Sequence, residues 1–318
     1  MKTAIIYGPR DLRVEEVEAP SIGPEDALVH VRTCGICGSD VHRYLGTRYG
    51  QRSRYPLNSG HEYCGDVVQV GENVRQINVG DRVVLGVDWV NGGLGAFSEY
   101  VRILHADERL HRVPGEITYE EASLIEPLLV ALNGFSKPKP KGRESVLILG
   151  AGPIGLCLLQ LCRNECSGEI TVSEISPKRL ELARHLGATA IDVTKESLEE
   201  RVKALTNGEG VDVTFECAGA LDTLRQAFSL TRQGGRICLI AHYSQSAEID
   251  PEVIVGRSMT VHGPEYGGIF FNEAIRLILE GKVKLKPLVS HQFPLQNAEE
   301  AFETAANASL SVKVLLRT

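Results

Sequence analysis

One short stretch constrains the fold of this chain more than any other: the apolar run VLIL, residues 146–149, passes directly into GAGPIG, residues 150–155, and then into the apolar segment LCLLQLC. A strand, a glycine turn and a helix in that order make the first half of a βαβ unit. Gly150 and Gly152 carry no side chain, so the backbone can turn tightly and approach a pyrophosphate closely, while Gly155 lets the helix pack against the strand. Pro153 and Ile154 open the helix, where the fixed φ of proline suits the first turn and the positive end of the helix favours an anion. A glycine turn without a ligand would explain the hexapeptide alone. Glu174 adds the rest of the pattern, nineteen residues beyond Gly155 at the end of a second strand, EITVSE. A carboxylate there accepts both ribose hydroxyls of NAD and repels the 2′-phosphate of NADP. Lys178 and Arg179 follow closely in sequence and weaken that exclusion. The candidate nucleotide site is therefore Gly150, Gly152, Pro153, Ile154, Gly155, Glu174 and Arg179, with NAD favoured over NADP.

After the hinge KPKPKG, strand and helix alternate: VLIL, PIGLCLLQLC, EITVSE, a helix opened by Ser176-Pro177 and stopped at Gly187, then VDVTFECAG, ALDTLRQAFSL and GGRICLIA. This predicts a doubly wound parallel sheet of Rossmann type over residues 128–263. Residues 27 to 113 have another texture. Short β-rich runs, ALVHVR, GDVVQV, DRVVL and SEYVRI, alternate with Gly, Asn and Asp turns and predict a β-rich domain. Between the two, Thr118 and Glu121 stand at capping-box spacing before an apolar run, which predicts a helix crossing from one domain to the next. The tail, with a helix over Asn272–Glu280 ended by Gly281, is too short to stand alone and is assigned to the first domain, residues 1–127 with 264–318. With 318 residues, 43% of them hydrophobic, each domain can bury a core of its own.

A formal charge of −7 with acids and bases interspersed leaves no basic stripe for a phosphate backbone, so no nucleic-acid partner is expected. The longest apolar run, residues 146–162, is broken by three glycines and a proline and falls short of the ~20 residues a membrane span needs. The first residues meet Gly8, Pro9 and charges before a signal-like apolar stretch develops. Eight unevenly spaced cysteines read as reduced thiols, and a cytoplasmic protein is expected.

TCGICGSDVHRY holds Cys34, Cys37, Ser39, Asp40 and His42, and SGHEYCGD, residues 59–66, holds His61, Glu62 and Cys64. Thiolate, imidazole and carboxylate are the ligand types zinc takes. Singly, these residues read as packed thiols, a redox Cys-x-x-Cys pair and a core histidine. A thioredoxin-type pair, however, should lie near a βαβ unit and open a helix, whereas this one is followed by Gly38 and an acidic turn.

In order along the chain, GICGSDVHRY, GHEYCGDVVQVGENV, GDRVV, FSEYV, ASLIEPL, VLILGAGPIG, FECAG, GGRICLI and KPLVSHQFPLQNAEEAFET resemble the zinc-containing medium-chain alcohol dehydrogenase superfamily from end to end. SDVH together with IEPL is most similar to its sorbitol and polyol dehydrogenase branch. The resemblance implies a GroES-like β-rich catalytic domain beside the Rossmann domain, one zinc per chain, and NAD-linked oxidation of a secondary alcohol (a polyol, sugar or sugar acid) to a ketone. It assigns Cys37 and His61 to the metal, leaves Glu62 and Glu126 as alternatives for the remaining corner, sets Cys34 aside, and makes Asp40 an orienting partner. It gives a proton relay to Ser39, which should touch the substrate oxygen, and His42, which should face solvent; Glu62 counts among the catalytic side chains. A homodimer or homotetramer is expected.

The chain departs from that pattern in three places. Where many relatives have a four-cysteine lobe for a second zinc, it has GVDWVNGGLGA, residues 86–96, with no cysteine. Where sorbitol dehydrogenases carry a substrate-binding arginine, it has Glu265 and Tyr266, which argues against sorbitol itself. RYLGTRYGQRSRY, residues 43–55, has four arginines and no acid; it reads as a solvated loop or, through Arg48 and Arg52, as a patch steering an anionic substrate. Two other functions compete: an amino alcohol dehydrogenase of threonine type, which shares these motifs, and a NAD-binding protein with a vestigial catalytic domain. Intact Cys37, His61, Glu62, Glu126, Ser39 and His42 speak against the second.

Overall fold

The structure, a computed structural model, describes residues 1–47, 54–86, 95–264 and 270–318. Arg48, Arg52, most of the GVDWVNGGLGA segment, Glu265 and Tyr266 lie outside the described residues. The chain divides into two compact units, Met1–Leu129 with Gly267–Thr318, and Val130–Tyr266.

In the first unit, β1 (Lys2–Gly8) and β2 (Asp11–Glu16) form an antiparallel hairpin. β3 (Ala27–Gly35) alternates, with Ala27, Val29 and Val31 fully buried on one face. The chain then forms α1 (Gly38–Leu45), β4 (Glu62–Val70), β5 (Arg82–Leu85), β6 (Tyr100–Ile103), α2 (Ala106–Arg109), β7 (Leu110–Arg112) and α3 (Tyr119–Ala122). Thr118 caps α3 by the predicted box: its hydroxyl accepts the Glu121 N–H and the Glu121 carboxylate accepts the Thr118 N–H, both at 3.3 Å. The single helix expected from Thr118 onward is two, because Pro127 cannot donate to the carbonyl four residues back and belongs in the first turn of a new helix, α4 (Ile125–Ser136).

The second unit carries β8 (Val146–Leu149), α5 (Pro153–Glu165), β9 (Ile170–Glu174), α6 (Pro177–His185), β10 (Thr189–Asp192), α7 (Leu198–Leu205), β11 (Val211–Glu216), α8 (Leu221–Leu230), β12 (Thr231–Leu239), α9 (Pro251–Gly256) and β13 (Thr260–His262). Its six strands are parallel in the order β10-β9-β8-β11-β12-β13. All four residues of β8 are buried, as in a strand covered on both faces. Strand order reverses between β8 and β11, where ligands of such sheets bind.

The tail returns to the first unit as α10 (Phe271–Leu279), β14 (Val289–Pro294), α11 (Ala298–Ala306) and β15 (Lys313–Arg317). The sheet there runs β14-β15-β3-β4-β5-β7, with β6 also paired to β3. Tyr44, Phe97 and Phe302 fill its core, the Phe302 ring lying 5.3 Å from each of the other two.

Candidate active site

β3 pairs antiparallel with β4 so that Gly35 faces Glu62 and Cys34 faces Tyr63. This register brings the chain leaving β3 beside the chain entering β4. Gly60 makes the entry possible: its φ is +107°, and a Cβ there would lie 2.8 Å from the Phe97 nitrogen. Gly35 leaves the space that the Glu62 carboxylate fills, since a Cβ on it would stand 2.3 Å from Glu62 Oε2. The acidic turn expected after Gly38 is the first turn of a helix, because Asp40 closes a capping box on Cys37: Cys37 is the N-cap of α1, and its N–H donates to Asp40 Oδ2 at 3.1 Å. Asp40 is fully buried and also takes the Arg43 guanidinium at 3.1 Å, so the turn that presents Cys37 is fixed from within.

One donor atom each from Cys37, His61 and Glu62 lies within 4.8 Å of the others. Burial alone would discharge His61, but Cys37, which hydrogen-bonds it, Asp40 and Glu126 outweigh burial and hold its pKa well above the usual imidazole range. Glu126, at the start of α4, adjoins this cluster. Burial raises its pKa; His61 lowers it, Glu62 raises it, and it stands at about 7. A thiol, an imidazole and a buried carboxyl drawn together, with the Glu126 carboxyl acting on them from α4, are the donor types of a zinc site, and a dication would satisfy the acids that now oppose one another. The residues fit that ion.

The remaining expected side chains sit as follows. The Ser39 hydroxyl accepts from Arg43 at 3.3 Å. His42 is partly buried and partly open to solvent; α1 ends at Leu45 with Gly46 as its cap, and the chain turns back to place Thr47 Oγ1 2.9 Å from His42 Nδ1. That burial lowers its pKa. Cys34 is packed, with its thiol pushed well up by burial, an inert neighbour of the cluster.

In the second unit, Gly150 has φ +99° and its N–H donates to the Ser173 carbonyl at 2.9 Å. A Cβ on Gly155 would lie 2.0 Å from the Gly150 carbonyl, whereas one on Gly152 would meet nothing within 4 Å. Pro153 and Ile154 begin α5. Glu174 is buried, and both its oxygens accept backbone N–H groups: Ala151 at 2.9 Å, Ile175 at 2.7 Å and Ser176 at 3.0 Å. It thus ties the glycine turn to the end of β9. Arg179 reaches to 3.8 Å of the same carboxylate.

Two groups escaped the sequence reading. Glu216, buried at the end of β11, accepts the N–H groups of Ala218 and Gly219 at 2.9 Å, the Thr223 hydroxyl at 2.7 Å and the Tyr243 hydroxyl, and so shapes the turn that packs against Gly150. Lys313, buried in β15, donates to the Ile36 carbonyl at 3.1 Å and to Glu62 Oε2 at 2.5 Å. In each case the only signal was a charged residue inside an apolar strand.

Residues 23–115 match the alcohol dehydrogenase GroES-like domain and residues 153–280 match the zinc-binding dehydrogenase family. The chain is 34% identical over 346 residues to (R,R)-butanediol dehydrogenase of Bacillus subtilis, covering 100% of this chain and 99% of that protein. It is 30% identical to sorbitol dehydrogenase of the same organism, covering 96% and 93%. Among solved structures, it is similar to a zinc-binding dehydrogenase from Sinorhizobium meliloti bound to NADP, with 28% identity, a TM-score of 0.87 and 100% and 99% of the two chains covered. An alcohol dehydrogenase from Escherichia coli CFT073 complexed with NADH gives 27%, 0.88 and the same coverage. The chain belongs to the zinc-containing medium-chain alcohol dehydrogenase superfamily, in its polyol dehydrogenase-like branch. It is a zinc-dependent oxidoreductase that converts a secondary alcohol to a ketone.

Proposed function

We propose that this enzyme oxidises a small polyol or vicinal diol with NAD, using one zinc held by Cys37 and His61 with Glu62 or Glu126. The observation that carries this reading is the convergence of sulfur, nitrogen and carboxylate donors from Cys37, His61 and Glu62 within 4.8 Å. When bound, zinc supplies the Lewis acidity that makes a substrate hydroxyl easier to deprotonate, and the dinucleotide supplies the hydride acceptor. The chain does the rest. Asp40 fixes Cys37 through the backbone of its turn. Ser39 relays the proton, releasing its own toward His42 as it receives that of the substrate hydroxyl, and His42, oriented by Thr47, passes it outward. Gly150, Gly152, Pro153, Ile154 and Gly155 cradle the pyrophosphate, and Glu174 with Arg179 borders the ribose.

On this reading residues 1–127 with 264–318 form the catalytic domain and residues 128–263 the dinucleotide-binding domain. The protein works in the cytoplasm as a homodimer or homotetramer. Among the described residues no helix is long and apolar enough to cross a membrane.

Zinc per chain, measured with NAD and NADP reduction across vicinal diols, polyols, sugar acids and threonine, tests the proposal. One zinc, and turnover of a diol or polyol with NAD, is the expected result. Preference for threonine moves the substrate to amino alcohols, and no zinc with no turnover leaves a nucleotide-binding protein. His42→Ala should lower turnover chiefly below neutral pH, where proton release is hardest; an unchanged pH profile removes His42 from the relay.

A further inference from the structure

Where β11 and β12 end, the chain closes around one carboxylate. Glu216 is fully buried, and its Oε1 accepts the N–H groups of Ala218 and Gly219 at 2.9 Å and the Thr223 hydroxyl at 2.7 Å. Among the described residues, the partner of Oε2 is the Tyr243 hydroxyl. Tyr243 lies in the segment that leaves β12, and that segment also wraps the Glu216 backbone: the Glu216 carbonyl accepts the N–H groups of Ile240 at 2.9 Å and Ala241 at 3.2 Å. The Tyr243 ring packs on the core of the second unit, whereas residues 245–250 beyond it are all exposed. Tyr243 therefore anchors the segment before it runs out over the surface. Burial and the adjoining carboxylate hold its pKa above the usual phenol range, so it stays a donor.

These contacts form a stack. A Cβ on Gly150 would lie 3.1 Å from Ala218, and one on Gly219 would lie 2.5 Å from the His242 carbonyl, so the glycine turn, the β11 turn and the β12 segment touch in succession. In a sheet of this strand order the two nucleotides of a dinucleotide lie over different halves. Glu174 puts the adenosine half over β8, β9 and β10, which leaves the nicotinamide half over β11 and β12. The bond between Tyr243 and Glu216 belongs to that second half. Without the phenol hydroxyl, Glu216 Oε2 is a buried acceptor with no protein donor, and the turn and segment lose the tie that holds them together. We infer that Tyr243 is a positioning residue for the cofactor: through Glu216 it keeps the β11 turn and the β12 segment in the arrangement that receives the nicotinamide half. The inference rests on the dinucleotide reading above and adds to it the residue that fixes one wall of the crevice.

The experiment compares two ligands on the purified enzyme by isothermal titration calorimetry: NADH, which spans both halves, and ADP, which fills only the first. Tyr243→Phe keeps the ring and removes the hydroxyl. It should raise the Kd for NADH about tenfold, as follows when the binding arrangement is populated roughly a tenth of the time, and leave the Kd for ADP within about twofold of wild type. A merely structural tyrosine would weaken both ligands alike or neither. Equal weakening of the two, or an unchanged Kd for NADH, overturns the inference. If the variant does not fold, hydrogen exchange on the wild type decides: NADH should slow exchange at Ala218, Gly219 and residues 241–244, and ADP should not. Equal protection by both ligands, or protection by neither, overturns it as well. A wild-type enzyme that does not bind NADH overturns the dinucleotide reading itself, and this inference with it.

Discussion

The glycine turn after β8 and the donor cluster between β3 and β4 are both built to hold a charged ligand, and they do it with opposite parts of the chain. The turn is made of backbone. Gly150, Gly152 and Gly155 clear space, and the acid at the end of β9, Glu174, already has both oxygens on main-chain N–H groups. The cluster is made of side chains whose charges oppose one another: His61 is held well above its usual pKa and Glu126 sits at about 7. A backbone site is thus complete before its ligand arrives, whereas a side-chain site stays electrostatically unfinished until a cation enters.

Variants can separate the two. Cys37→Ala should remove zinc and cut turnover by about 10³-fold or more, since the metal supplies several kcal/mol of transition-state stabilisation, yet NADH titration should give an unchanged Kd. Loss of nucleotide affinity in that variant would break the contrast. In the glycine turn, Gly155→Ala should destabilise the protein by about 1–3 kcal/mol through overpacking against the Gly150 carbonyl. Gly152→Ala, with open space around it, should unfold within ~0.5 kcal/mol of wild type but bind NADH more weakly; thermal melts and fluorescence titration check both. Glu174→Ala leaves three N–H donors, two of them buried, without their acceptor, at a cost of about 1–3 kcal/mol for each buried donor that stays unsatisfied, and should narrow the preference for NAD over NADP, measured as a ratio of kcat/KM values.

An effect confined to acid pH belongs to Asp26, which lies in the same unit as the cluster but is satisfied as Glu174 is. Burial would raise its pKa, yet the Gly23 N–H, the Arg102 guanidinium and the His105 N–H hold it below the usual carboxylate range. A carboxyl depressed on folding stabilises above its unfolded pKa of about 3.9 and loses that contribution as pH falls through the lower, folded value. Unfolding free energy of the wild type should therefore drop more steeply below about pH 4 than that of Asp26→Asn, by about 1 kcal/mol. Equal slopes would show that Asp26 is not among the acid-sensitive contacts.

How much of this could be read beforehand follows the same division. The turn, Glu174 and the strand and helix after it lie within one contiguous stretch, so spacing and turn residues exposed them. The cluster was legible only through resemblance, because Cys37, His61 and Glu62 meet by strand register rather than by proximity in sequence. β10 and α7 gave no clear signal: two of four residues of β10 are buried, and α7 buries only Leu198 and Val202. The split between α3 and α4 turned on one proline. Lys313 and Glu216 were hidden because a charge in an apolar strand reads as an exception until its partner is placed.

The bond from Lys313 to Glu62 joins residues 251 positions apart. On the ribosome, the nucleotide-binding unit between them is therefore synthesised in full while Glu62 still waits for its cation. The charge balance of the catalytic centre is settled only after the whole nucleotide-binding unit has been made.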